Sequence, residues 1–360
     1  MDLKVFNFEQ KNDYCWTLQN IESFLGKGHK ISYFSGTHKL NKEKHILVKN
    51  INIDYETIKE YEIKQIKMEI YLLKVFKEKN YFPKLVDFLL SNDNKNLFIL
   101  FEGNNIPLDI LIKSKIFDYK KEKDLIKYII YQIAFGLYNL HLNKIIHHDI
   151  KPSNILIDQT GTISIYNFLS AIYTGEKSIY YTPSYAAPEL LISEDKIDEK
   201  YDMWALGVLM VELYLKSNNY FYQKNIGKEN NNQKLNQLNL ILSKFEIEQN
   251  YKDINIRILM GESLNSKNSA RFKIEEISNE INDLDAIELI KNLLVINPKE
   301  RFSAEQVLKS NYLKDFFDID SLEIKQINTS LNYSENYQNL KDKNKFAKII
   351  EDFRRIISIK

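Results

Sequence analysis

The chain is short of several features that would announce a function. Cys15 is its single cysteine, which excludes an intrachain disulfide and any zinc site built from several cysteines. Net charge is also nearly absent. With 50 basic and 49 acidic side chains the formal charge is +1, so no global field favours nucleic acid or an anionic membrane, and neither is expected as a partner. No stretch approaches the roughly 18 uncharged apolar residues of a membrane span. The opening MDLKVFNFEQKNDY lacks the apolar run of a signal peptide, so a cytoplasmic location is the expectation. Glycine and proline are scarce, and residues 1–256 contain no arginine at all.

What is present is apolar mass. A hydrophobic content of 44%, with 12% aromatic, is enough to bury one large core or two lobes sharing a cleft. Residues 21–53 read as short strands, rich in β-branched and aromatic side chains and punctuated by Gly26, Gly28 and Gly36. Over 55–79 the spacing becomes helical, with Ile63, Ile66, Ile70 and Leu73 on one face. LVDFLL and LFILFE then predict two more strands. Beyond about residue 105 helices dominate. LIKYIIYQIAFGLYNLHL (125–142) is long and apolar, DMWALGVLMVELYL (202–215) is apolar nearly all round and hence central, and 285–313 predicts two more helices around a proline-bearing turn. These patterns divide the chain into an extension (1–20), a small β-rich part with one main helix (21–104), a larger mostly helical part (105–317) and a tail (318–360). Within the helical part, 217–235 is polar and reads as a mobile surface insertion. In the tail, Phe346, Ile349, Ile350, Phe353, Ile356 and Ile357 form an apolar stripe suited to docking on the parent domain or on a partner.

The densest chemistry is His147-His148-Asp149-Ile150-Lys151-Pro152-Ser153-Asn154. A phosphoryl-transfer loop needs a carboxylate to orient the acceptor hydroxyl and take its proton, a cation near the transferred group, and a neutral oxygen ligand for magnesium. Asp149, Lys151 and Asn154 fit these three needs. The string resembles the H-R-D-L-K-P-x-N loop of eukaryotic protein kinases, and the other landmarks of that family follow in order. Ile46-Leu47-Val48-Lys49 is similar to V-A-I-K, with Glu69 as the helical partner of Lys49. Phe101-Glu102-Gly103 resembles the hinge that binds adenine through backbone groups. Asp202–Gly207 fits D-x-W-x-x-G, and Ala187-Pro188-Glu189 fits A-P-E, with Arg301 as the carboxylate's partner. Singly each is weak. Their joint order across 25–313 carries the resemblance.

The resemblance implies an α+β, bilobal protein-kinase fold that uses ATP and Mg²⁺ and acts on a protein substrate or partner. It implies nucleotide contacts at Leu25, Gly26, Gly28, Lys49, Glu69, Glu102, Gly103 and Leu156. Catalysis falls to Asp149, Lys151 and Asn154, and metal binding to Asn154 and Asn167. Lys151 and the segment Thr182-Pro183-Ser184-Tyr185-Ala186-Ala187-Pro188-Glu189 are similar to Ser/Thr kinases, and the region after Trp204 weakly resembles the CMGC group. Ala186 departs from the proline-directed members of that group.

Other departures cluster on the nucleotide and metal side. Where the family has D-F-G this chain reads Asn167-Phe168-Leu169. An amide can ligate a hard cation but brings no charge, and leucine disfavours the positive φ that glycine permits. Ile31 replaces the third glycine of the glycine loop, and Tyr33 and Leu47 add bulk where adenine would lie. His148 replaces an arginine that binds activation-loop phosphate, so loop phosphorylation is expected to matter little. Two readings result: a Ser/Thr protein kinase with weak or lost phosphoryl transfer, and a pseudokinase serving as scaffold or allosteric partner. Oligomeric state is not legible.

Overall fold

A computed structural model describes residues 16–20, 31–38, 41–247 and 270–316, apart from 42, 55–56, 78, 92–94, 104, 115–121, 178–180, 193–196, 217–219 and 222–232. The chain opens with strands β1 (Trp16–Asn20), β2 (Ile31–His38) and β3 (His45–Asn52), then helix α1 (Glu60–Val75). Strands β4 (Leu85–Leu90), β5 (Asn96–Glu102) and β6 (Ile106–Pro107) lead into α2 (Leu108–Lys113) and the long α3 (Lys123–Leu142). Short strands β7 (Ile145–Ile146), β8 (Ile155–Ile157), β9 (Ile163–Ile165) and β10 (Ile172–Tyr173) precede α4 (Pro188–Ile192) and α5 (Lys200–Leu215). The remainder is α6 (Gln233–Ser243), β11 (Phe245–Ile247), β12 (Ala270–Phe272), α7 (Ser278–Ile281), α8 (Leu284–Leu293) and α9 (Ala304–Leu308).

The chain divides into two units. Among the described residues, one holds those up to Ile110 together with Leu156–Leu169. It is built on an antiparallel sheet of order β1-β2-β3-β5-β4. Side chains alternate across a strand. Ile46 and Val48 therefore join Phe34, Leu89, Phe98 and Leu100 in a buried cluster on one face, while Leu47 and Lys49 take the opposite face. The four apolar positions that predict α1 are all buried, and Glu69 is buried among them.

The other unit comprises Leu111–Ile155 and the residues from Ser170 onward. Its centre is α5, buried at every position from Tyr201 to Tyr214, as a helix apolar all round should be. It packs against α3 and α8. Local signals stop and start the outer helices. Asp283 accepts the N–H of Ala286 at the head of α8, and Ser303 and Gln306 form a reciprocal capping box on α9. The α+β kinase architecture is thus realised as a sheet unit and a mainly helical unit. Among the described residues no helix is long and apolar enough to cross a membrane.

Some boundaries differ from the sequence reading. β1 lies within 1–20, a stretch read as an extension, and pairs with β2 along its whole length. In the polar 217–235 stretch, Phe221 is fully buried and Gln237 donates to its carbonyl. The reason is aromatic: Phe221 and Phe245 both meet Trp204, which stacks on Phe245 at 6.1 Å, and Phe272 packs on both phenylalanines. The glycine-loop residues Leu25, Gly26 and Gly28, Cys15 and the apolar stripe of the tail lie outside the described residues.

Candidate functional site

In the sheet unit, β3 carries Lys49 toward α1, and the side chain is completely buried. Its Nζ donates to Glu69 Oε1 at 2.7 Å, to Glu69 Oε2 at 2.8 Å and to Asn167 Oδ1 at 2.7 Å. Burial pulls the ammonium below its ordinary pKa, and Glu69 opposes that pull. Asn167 follows β9 and adopts φ +69°, a left-handed conformation that asparagine tolerates better than most residues. Leu169, in the single 3₁₀ turn Phe168–Ser170, has no positive φ. The left-handed residue of this segment is Asn167, and Leu169 stays out of the positive-φ region that leucine disfavours. Phe168 is buried against Phe82, which lies 4.5 Å from Phe76 between ring centroids.

The same sheet face is filled by the protein's own side chains. Tyr33 pairs with Lys49 across β2 and β3, and Leu47 pairs with Phe101. They are only 4% and 3% exposed, and the Tyr33 ring meets the edge of Tyr166 at 6.4 Å. Leu156 is buried on β8 opposite Pro107. At the end of β5 the N–H of Glu102 donates to the carbonyl of Lys84, and that of Gly103 to His45. Those two N–H groups are already engaged within the unit.

In the helical unit, β7 and the 3₁₀ turn Pro152–Asn154 frame the loop that carries Asp149. Thr182 Oγ1 donates to Asp149 Oδ1 at 2.6 Å and accepts from Lys151 Nζ at 2.9 Å. Lys151 Nζ also lies 2.8 Å from Asp149 Oδ2. Asn154 Nδ2 donates to the Asp149 carbonyl at 2.7 Å and to Oδ2 at 2.6 Å. A carboxylate, a cation, an amide and a hydroxyl thus form one connected network around Asp149.

Asp202, buried on α5, pins this loop. Its two oxygens accept the backbone N–H groups of His147 and His148, each at 2.9 Å, and Oδ2 also meets His141 Nε2 at 2.9 Å. Burial alone would raise the Asp202 carboxyl. The hydrogen bond and charge of His141, with the His148 N–H among further contributions, outweigh it and hold the pKa below the ordinary value. His148 takes φ +69° and stacks on Tyr201 at 4.5 Å. Burial lowers its pKa to about 4 despite Asp202 and Asp149, so the ring is neutral and offers no charge to a phosphate. Glu189 and Arg301 form the expected fork, at 2.7 and 2.9 Å.

Sequence reasoning missed His141, Tyr201 and Tyr166. His141 was findable as a histidine at the C-terminal end of an otherwise apolar helix. Nothing in the spacing points to the other two. Lys49, Glu69 and Asn167 come together in one unit, and Asp149, Lys151, Asn154 and Thr182 in the other.

The resemblance implies a magnesium ion held by Asn154 and Asn167. Among the described residues no three His, Cys, Asp or Glu side chains could hold a metal ion together. Asn167 brings no charge, and its amide oxygen already accepts from Lys49. These residues do not fit a charged metal ion in the way an Asp at position 167 would. Lys49 already directs its ammonium at Glu69 and Asn167, and Tyr33 and Leu47 are buried on the sheet face that it shares.

Residues 19–313 match the protein kinase domain. The chain is 27% identical over 261 residues to mitogen-activated protein kinase 15 of Xenopus laevis, covering 69% of this chain and 42% of that protein. It is 31% identical over 262 residues to mitogen-activated protein kinase mpkC of Aspergillus fumigatus, covering 69% and 63% respectively. It is also 31% identical over 208 residues to mitogen-activated protein kinase HOG1 of Alternaria brassicicola, covering 55% of this chain and 54% of that protein. In each case the chain spans less than two thirds of the relative's length.

Proposed function

Because this chain belongs to the protein kinase family and is related to the mitogen-activated protein kinases, we propose that it is a Ser/Thr-kinase-like protein in which phosphoryl transfer from ATP to protein is weak or lost. The observation that carries this reading is Asn167, a neutral amide held by Lys49 where the family has a carboxylate. In a kinase domain ATP supplies the phosphoryl group and Mg²⁺ neutralises its charge. Here the metal side has a neutral amide where the family's main anion would stand.

The helical unit keeps the parts for positioning an acceptor. Asp149 would orient a substrate hydroxyl and take its proton, and Lys151 would place positive charge beside the transferred group. Thr182 and Asn154 fix the carboxylate's orientation between them. A loss of roughly 10²–10⁴ in rate corresponds to a barrier higher by about 3–5 kcal/mol. The assay is radiolabel transfer from ATP to a generic protein acceptor, comparing wild type, Asp149→Asn and Asn167→Asp. Wild type should lie close to Asp149→Asn, and Asn167→Asp should raise transfer by roughly 10²–10⁴. Wild-type turnover equal to that of Asn167→Asp would refute the reading.

The filled sheet face favours a second reading, a pseudokinase acting as scaffold or allosteric partner of another protein. Thermal unfolding with millimolar ATP, with and without Mg²⁺ or Mn²⁺, separates the two. A metal-dependent shift supports residual catalysis, and no shift at all supports the scaffold.

A further inference from the structure

We propose that Lys49, Glu69 and Asn167 form a closed cluster that is complete without a divalent cation, so that the sheet unit holds its Asn167–Phe168 segment in place independently of metal. The proposal deepens the reading above, because it rests on Asn167 occupying the family's metal-ligand position, but it does not depend on whether any phosphoryl transfer survives.

Two balances support it. The first is hydrogen bonding. A lysine ammonium has three N–H donors, and Lys49 directs them at three acceptors: both oxygens of Glu69 and the amide oxygen of Asn167. All three distances fall between 2.7 and 2.8 Å, the range of charge-assisted bonds. Lys49 and Glu69 are completely buried, so the two bonds between them are not shared with bulk water, and the bond to Asn167 is partly buried.

The second balance is charge. Lys49 carries +1, Glu69 carries −1 and Asn167 carries none, so the three sum to zero. Buried charge is tolerated when it is paired and penalised when it is not. An aspartate at position 167 would set two carboxylates against one ammonium and leave a net negative charge beside a fully buried ion pair. A divalent cation would relieve that excess. With asparagine there is no excess to relieve, and the amide supplies the acceptor that the third N–H of Lys49 needs. The backbone agrees, because position 167 is left-handed and asparagine accepts that conformation. The bond joins residues 118 apart in sequence, so it ties the segment after β9 directly to the central strand β3.

The test uses the full chain without nucleotide. Thermal unfolding is followed in EDTA and in millimolar Mg²⁺ or Mn²⁺ at constant ionic strength, for wild type, Asn167→Asp and Asn167→Ala. Wild type should melt at the same temperature in all three conditions. Asn167→Asp should melt several degrees lower in EDTA and recover on addition of either metal. Asn167→Ala should melt lower in every condition with no response to metal, because it removes the acceptor without adding charge. Stabilisation of nucleotide-free wild type by Mg²⁺ would overturn the proposal. So would an Asn167→Asp variant that is as stable as wild type in EDTA and indifferent to metal. If Asn167→Asp regains phosphoryl transfer yet shows no metal response without nucleotide, this inference fails and the functional reading stands. If the metal response appears without any gain in transfer, the reverse holds.

Discussion

His148 makes the stability of the protein acid-sensitive in a way that can be isolated. The ring is 2% exposed, lies flat on Tyr201, and its Nε2 finds no hydrogen-bond partner among the described residues. Burial lowers its pKa from 6.5 to about 4, and the nearby Asp202 and Asp149 only partly offset this. Between those values the unfolded chain binds a proton that the folded chain refuses. The stabilisation from keeping the ring neutral is therefore fully present above the ordinary value and is lost as pH falls toward the folded one. Each pH unit in that window is worth about 1.4 kcal/mol, so the whole window amounts to about 3 kcal/mol. The perturbation is His148→Asn, which removes the titrating group and suits the left-handed backbone. Denaturant unfolding of wild type and variant is compared from about pH 7 down to about pH 4.5. The variant is expected to be less stable at neutral pH, where it loses the stacking on Tyr201. The gap should then close by about 1.4 kcal/mol per unit below about pH 6.5. Every other titrating group is common to both proteins and cancels in the difference. A difference that stays flat across the range would refute the argument.

Glu212 should act in the opposite sense. Burial raises its carboxyl to about 7, although the Tyr185 hydroxyl and the Tyr220 N–H donate to it. Its folded form keeps a proton that the unfolded chain gives up near 4.5, so wild type loses up to about 3 kcal/mol as pH rises through that interval. Glu212→Gln should abolish this dependence and gain on wild type between acid and mildly alkaline pH in the same unfolding measurement. Gly207→Ala tests the packing of α5 on α8. A methyl there would sit 2.9 Å from Leu293 Cβ and from Leu294 Cδ2, and overpacking of this kind costs about 1–3 kcal/mol, readable as a lowered denaturation midpoint.

The sequence made some of this legible and hid the rest for physical reasons. Helices α1, α3 and α5 announce themselves because apolar side chains at helical spacing have to share a buried face. The loop around Asp149 was readable because its functional groups lie within six residues of one another. The fork between Glu189 and Arg301 was legible only through the order of landmarks, since 112 residues separate its members. The bond from Lys49 to Asn167 was not legible at all. The family resemblance set Asn167 where a carboxylate is expected, but only the folded sheet shows which group its amide serves. Tyr33 and Leu47 were read as added bulk, and the pairing of β2 with β3 shows that they share a face with Lys49. The burial of Phe221 was missed because a polar stretch hides a single anchoring ring, and its partners Phe245 and Phe272 come from other elements.

The anchoring of the loop by Asp202 bears on how such a chain changes over evolutionary time. Asp202, His141, Thr182 and Asn154 hold the turn by bonds made within the helical unit. A substitution at Asn154 or Asp149 would break that internal scaffold whether or not the protein ever turns over ATP. Selection for folding alone is therefore enough to preserve these side chains. Position 167 belongs to the other unit and carries an uncharged side chain that its left-handed backbone accepts. The signature loop in such a chain is thus a mark of how the helical unit is held together, whatever stands at position 167.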